Sequence, residues 1–208
     1  MEVKKIISTC LTKYDKDFGE EIFKEIAEAQ CFVTNLSEYV EEKKYRGNLF
    51  EELCVLYLKN IKKYDEVWLL KDVPLNILTS LDLKRQDIGI DIIVKDQNKF
   101  LAVQCKFKSN KTKKYIKVNW KELSTFYSLC HRTGPFSKYI IMTSCYSIKH
   151  VGQKDPKERT IARTTFLNMT RTEWGILLGY KDRVCGEPTK QKTLEELREQ
   201  RIKYFENK

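Results

Sequence analysis

The chain has 208 residues, 41% of them hydrophobic and 12% aromatic, which is enough to bury a core and excludes a disordered polypeptide. Lys and Arg outnumber Asp and Glu by 39 to 29, and the resulting charge of +10 favours polyanionic partners. No apolar run is long enough to span a membrane or serve as a secretory signal, and seven scattered cysteines without a CxxC pair exclude a disulfide framework and a four-cysteine zinc site.

The expected setting is therefore intracellular, cytoplasmic or nuclear, of cellular or viral origin, with reduced and mostly structural cysteines. In chain order, residues 1–45 read as a charged helical extension, in which Ile22, Phe23 and Ile26 form a partial apolar stripe. A second helix is predicted over 46–63, where Phe50, Leu53, Cys54, Tyr57 and Ile61 recur at helical spacing. Residues 66–70 read as a short strand and 71–86 as a connection broken by Pro74. Two strands follow, over 89–94 and 99–107, joined by the polar triplet Asp96, Gln97 and Asn98. After a lysine-rich stretch, a helix is predicted over 119–131 and a buried strand over 138–144. Mixed segments around 160–169 and 174–180 lead to a charged end helix over 193–206. This order predicts an α/β fold with a mixed sheet flanked by helices.

Chemistry concentrates in the two central strands. Alternation places Leu101, Val103, Cys105 and Phe107 on one face of the second strand and Gln104 and Lys106 on the other. In the first strand Ile90, Ile92 and Val94 face one way and Asp91 the other. A short turn would then bring a carboxylate, an amide and an ammonium into a common space. That set suits phosphodiester cleavage beside a hard divalent cation, with the lysine acting on the attacking water.

The sequence Asp87-Ile-Gly-Ile-Asp91 with Val103-Gln-Cys-Lys106 resembles the D-x-G-x-D and (V/I)-Q-x-K signatures of Mrr-like restriction endonuclease domains. It is more similar still to the nuclease domain at the N-terminus of some restriction and viral helicases, in the PD-(D/E)xK superfamily. Gly47-Asn-Leu-Phe-Glu51 resembles the G-x-x-F-E pattern of that family's first core helix. Helix phasing independently favours Glu51 over Glu52, because Glu51 shares a face with Cys54, Val55 and Leu58 whereas Glu52 lies nearer solvent. The resemblance covers about residues 46–146 and implies a restriction-endonuclease-like core there, with 147–208 as a C-terminal extension. It implies a Mg²⁺- or Mn²⁺-dependent endodeoxyribonuclease acting on double-stranded or branched DNA. Asp91, Gln104 through its side-chain oxygen, the Cys105 main-chain carbonyl and Glu51 would hold the metal, and Lys106 would act on water. Asp87 would assist or shape the turn, and Gly89 would sit where backbone and metal site crowd together. Gln104 replaces the superfamily's acidic residue, which keeps open a weakly active or inactive module that binds nucleic acid.

Beyond the core signature, Lys108, Lys111, Lys113, Lys114 and Lys117 are the expected DNA contacts, since they run out of the active strand. Tyr115 and Trp120 offer rings for stacking, although core packing is the commoner fate of Trp. Lys154, Lys157, Arg159, Arg163 and Arg171 form a second basic stretch, read equally as DNA contact or exposed helix face. His131 and His150 have no obvious partner and suit surface or structural roles. The end helix could dock on the core, join a homodimer or connect to a larger helicase-type assembly.

Overall fold

Alternation along β3 (Lys99–Lys106) sends Leu101, Val103 and Cys105 into one apolar cluster and Phe100 and Ala102 into another, so both faces of the sheet need cover. The computed structural model describes residues 2–30, 38–86, 89–109, 117–149 and 154–180. In it a five-stranded mixed sheet runs in the order β1 (Glu66–Leu69), β2 (Ile92–Asp96), β3, β5 (Phe136–Thr143) and β7 (Glu158–Ile161). The pairs β1–β2 and β2–β3 are antiparallel, whereas β3–β5 and β5–β7 are parallel. A two-stranded parallel ribbon, β4 (Lys117–Asn119) with β6 (Ser147–Lys149), stands apart from it. The architecture is the α/β mixed sheet that the sequence predicts.

The first face carries the larger core. It is covered by α1 (Glu2–Lys13), α2 (Phe18–Glu28) and α3 (Glu38–Asn60), with α6 (Arg163–Leu167) and α7 (Arg171–Leu178) from late in the chain. The rings of Phe23, Phe50 and Tyr57 gather around Phe166 within this layer. The second face is covered by α4 (Leu75–Ser80) and α5 (Ser124–Arg132), with Leu78, Phe126 and Leu129 packed against Ile93, Ala102 and Ile141. No helix among the described residues is long and apolar enough to cross a membrane.

Several boundaries differ from expectation for local reasons. Helix α3 begins at Glu38 rather than 46, because the run before Arg46 holds good helix formers but too few apolar residues to register as a stripe. It ends at Asn60, before Lys63 enters the left-handed region at φ 55°. The connection 71–86 holds a tight turn at Leu70–Asp72 and then α4, with Pro74 directly before its first residue. In the central hairpin Asp96 pairs with Lys99, so only Gln97 and Asn98 form the turn, both with positive φ. The expected division after residue 45 falls within α3, and the sheet takes its fifth strand from beyond residue 146. The end helix over 193–206 lies outside the described residues.

The second basic stretch makes contacts within the protein, but only Arg163 is buried, and Lys154, Lys157 and Arg159 stay exposed. Arg163 is 4% exposed: it pairs with Glu20 through a short contact, donates to the Ser144 carbonyl at 3.2 Å and lies 4.6 Å over the Phe23 ring. Arg171 donates to the Tyr14 carbonyl at 3.3 Å and stacks on Phe18, and Lys157 donates to the Phe136 carbonyl at 3.4 Å. Lys154 pairs with the buried Glu158 at 3.5 Å, while Arg159 donates to two nearby carbonyls. Arg163→Ala is expected to lower stability by about 2 kcal/mol, the low end for a buried charged network because Glu20 can rehydrate. Urea denaturation should show this as a lower midpoint with unchanged slope, and the salt dependence of DNA binding should stay as in the parent.

Candidate active site

Asp91 is held by backbone pairing on both sides. Its N–H donates to the Val103 carbonyl at 2.9 Å, and its own carbonyl accepts the Leu70 N–H at 2.8 Å. These bonds extend the ladder one residue ahead of β2, which starts at Ile92 rather than at 89. The delay comes from Gly89, at φ 120°, where a β-carbon would stand 2.9 Å from the Phe126 amide nitrogen. The crowding expected at Gly89 is therefore with the α5 backbone. The same kink moves Ile90 into the second cluster beside Ile93, away from the face that Ile92 and Val94 share. Asp87 lies outside the described residues.

The Asp91 carboxylate is clasped at the end of β3. Its Oδ2 accepts the Cys105 N–H at 2.6 Å together with a short hydrogen bond from the Gln104 side-chain amide. That amide also donates to the Cys105 carbonyl at 3.3 Å, and Gln104 is only 3% exposed. The expectation for Gln104 was an oxygen turned toward a metal. With a carboxylate and a carbonyl as neighbours the amide presents its donor side instead, and half a rotation exchanges donor for acceptor. Burial raises the Asp91 pKa, while the Cys105 N–H, the Lys106 charge and the Gln104 amide pull it back.

Glu51 reaches the same region from α3. Burial pushes its pKa up to about 7, the charge of Asp91 pushes in the same direction, and Lys71 and Lys106 oppose both. Glu52 does not lie nearer solvent as the helix phasing predicts, since both residues are half-buried and one Glu52 oxygen is shielded without a hydrogen-bond partner among the described residues. What sets Glu51 apart is its electrostatic neighbourhood of Asp91, Lys71 and Lys106. The buried Cys54 and Cys105 thiols share this electrostatic neighbourhood. Burial raises the pKa of both, and the nearby carboxylates add to it, so both stay neutral.

Lys106 is half-buried, and its backbone is latched to the end of β5. Its carbonyl accepts the Thr143 hydroxyl at 2.8 Å and the Ser144 N–H at 3.2 Å. The Ser144 hydroxyl then accepts the Lys108 N–H at 2.8 Å and donates to the Lys108 carbonyl at 3.0 Å. Sequence reading missed Thr143 and Ser144, and also Lys71, which the Leu70–Asp91 bond brings toward the site from a segment with no motif.

The expected DNA contacts divide. Lys108 engages Glu122 at 2.8 Å and the Lys117 carbonyl at 3.1 Å, which fastens the small ribbon to the exit of β3. Lys117 is exposed on β4. Lys111, Lys113, Lys114 and Tyr115 lie outside the described residues, as does His150. Trp120 stacks on Tyr127 with centroids 4.6 Å apart, and His131 meets the Tyr139 ring at 5.6 Å.

Two half-buried carboxylates within electrostatic reach repel each other, and a divalent cation would relieve that repulsion. Among the described residues no group of three His, Cys, Asp or Glu is placed to hold a metal ion, so the donors to one would have to include amide or main-chain oxygens. The oxygens of Glu51, Asp91, the Cys105 carbonyl and a rotated Gln104 are of the type that would suit a hard divalent cation, which accepts few protein ligands and keeps several waters.

A mixed sheet covered on both faces, with Asp91 and Gln104-Cys-Lys106 meeting on its central hairpin, defines a restriction-endonuclease-like nuclease domain. The family model Mrr_cat_2, described as restriction endonuclease, matches residues 59–176, more than half of the chain, and the chain belongs to this family. The matched span takes in Asp91, Gln104 and Lys106 and begins eight residues after Glu51. No curated protein and no solved structure gives a match. The family implies a nuclease, DNA as the substrate and a divalent metal as its helper.

Proposed function

We infer that the protein is an endodeoxyribonuclease that hydrolyses DNA phosphodiesters by water attack with the help of Mg²⁺ or Mn²⁺. The meeting of Asp91, Gln104 and Cys105 carries this reading, with Lys106 acting electrostatically on both Asp91 and Glu51. Asp91, Glu51, the Cys105 carbonyl and the Gln104 oxygen would hold the ion. When bound, the ion lowers the pKa of water and offsets charge on the phosphoryl oxygens. Lys106 orients or deprotonates the attacking water and lends positive charge to the phosphate. Thr143 and Ser144 hold the Lys106 backbone while it does so. Lys117 and the overall excess of cations favour a polyanionic substrate.

A second reading keeps DNA binding and reduces or removes cleavage. Its support is Gln104, a neutral residue that satisfies Asp91 as a hydrogen-bond donor. Incubation of supercoiled, linear and branched DNA in Mg²⁺, in Mn²⁺ and in EDTA separates the two readings. Internal cuts that need the ion are expected, and Lys106→Ala should slow them by about 10²-fold, the scale of a general acid–base group. Salt-sensitive binding without nicking in either ion would favour the binding module.

A further inference from the structure

Resting on that nuclease reading and extending it, we propose that the DNA backbone leaves the cleavage site along a basic groove beside α3, crossing the helix over Gly47. The groove is a cavity of about 430 Å³ lined by Lys43, Arg46, Lys106, Phe107, Lys108 and Glu122 among others. Its cations outnumber its carboxylates four to one; Glu42 engages Arg46 at 2.9 Å and Glu122 engages Lys108 at 2.8 Å, while Lys106 belongs to both groove and site. The Phe50 ring packs against Phe107 with centroids 5.6 Å apart, which fixes α3 against the chain leaving β3. Helical spacing puts Lys43, Arg46, Gly47 and Phe50 on one face, with Glu51 one turn beyond Gly47.

Among the described residues nothing asks for glycine at position 47. Glycine inside a helix weakens it relative to alanine, and Gly47 lies well within the 23 residues of α3. Its φ is not in the left-handed region, and a β-carbon built there meets nothing within 4 Å. Gly19 provides the contrast, since a β-carbon there would stand 3.0 Å from the Leu167 backbone. The bare helix surface at Gly47 thus opens onto space that a ligand can use, between Lys43 and the Glu51 end of the site. A phosphodiester chain suits it, because close approach to the helix brings phosphates between Lys43 and Lys106. On the far side of Lys108 and Ser109 the lining loses its cationic excess. A second cavity of about 600 Å³ there sets Glu20, Glu21 and Glu28 against Lys24, Lys108 and Arg163, with Arg163 tied to Glu20. Such a balanced wall attracts a polyanion less than the α3 side does.

The test is fluorescence anisotropy of a short DNA duplex in EDTA at several salt concentrations, followed by cleavage kinetics in Mg²⁺. Gly47→Leu is expected to melt at or above the parent temperature, because leucine is the better helix former and finds open space. It should nevertheless bind DNA about tenfold more weakly, the scale of one displaced charge-assisted contact. Lys43→Ala should bind more weakly and lower the salt slope by about one unit. Both variants should raise KM more than they lower kcat. Parent-like Kd and KM in both variants, from a parent that cuts DNA, would overturn the groove alone. A parent that binds DNA and never cuts, with both variants binding weakly, would overturn the nuclease reading and leave the groove standing. A parent that does not bind duplex DNA would overturn the groove.

Discussion

Asp91→Asn is expected to reduce DNA cleavage by about 10³-fold, since the charge that would anchor the metal is worth several kcal/mol and each 1.4 kcal/mol is a factor of ten. The fold should survive. Asparagine keeps the size of the side chain and an oxygen to accept the Cys105 N–H, and Gln104 can turn its own oxygen toward the new amide. The stability cost should stay near that of one weakened hydrogen bond, about 1 kcal/mol. A second readout follows from the electrostatics. Asp91 is one cause of the raised Glu51 pKa, so its neutralisation should lower that pKa from about 7, with burial still holding it above the ordinary carboxylate value. Carboxyl carbon NMR titration of Glu51 in both proteins would report the change. A variant that cuts within about tenfold of the parent would remove Asp91 from the chemistry.

The parts of this site that were legible in sequence are those set by local periodicity. Alternation along 101–106 correctly separated Gln104 and Lys106 from Leu101, Val103 and Cys105, because a paired strand allows no other arrangement. Helix spacing likewise selected Glu51, though for an incomplete reason, since burial does not distinguish it from Glu52. What escaped depends on contacts between distant segments. Gly89 is crowded by Phe126, and Lys106 is latched by Thr143 and Ser144; neither pairing leaves a periodic trace. Charge read without burial misled in the same way. Arg163 and Lys108 looked available to DNA, yet Glu20 and Glu122 engage them within the fold. The charged start of α3, which holds Lys43, reads in sequence as part of a helical extension rather than as one helix with 46–63, because helix propensity without an apolar stripe gives a weak signal.

Glu51→Gln is expected to have opposite effects on stability and activity. The Glu51 pKa rises from 4.5 to about 7 on folding, so between these values the folded chain binds more protons than the unfolded one. Its stabilising contribution is complete below 4.5 and is lost as pH rises through about 7, where the buried carboxylate must ionise beside Asp91. Glutamine has no such transition. In EDTA at about pH 8 the variant should therefore be more stable than the parent by about 1–3 kcal/mol, the upper figure being the full pKa difference and the lower one allowing for solvent reaching the half-buried group. Adding Mg²⁺ should narrow or reverse this gap, because the ion stabilises whichever folded chain binds it more tightly. Cleavage by the variant should fall by about 10²-fold, which corresponds to roughly 2.7 kcal/mol of lost stabilisation. The parent's cleavage rate should also rise with pH as Glu51 ionises, with a midpoint below about 7 because the cation favours the charged form. Urea denaturation of both proteins across this pH range, with and without Mg²⁺, makes the comparison. A parent at least as stable as Glu51→Gln at about pH 8 in EDTA would mean that Glu51 does not share a strained, buried site with Asp91.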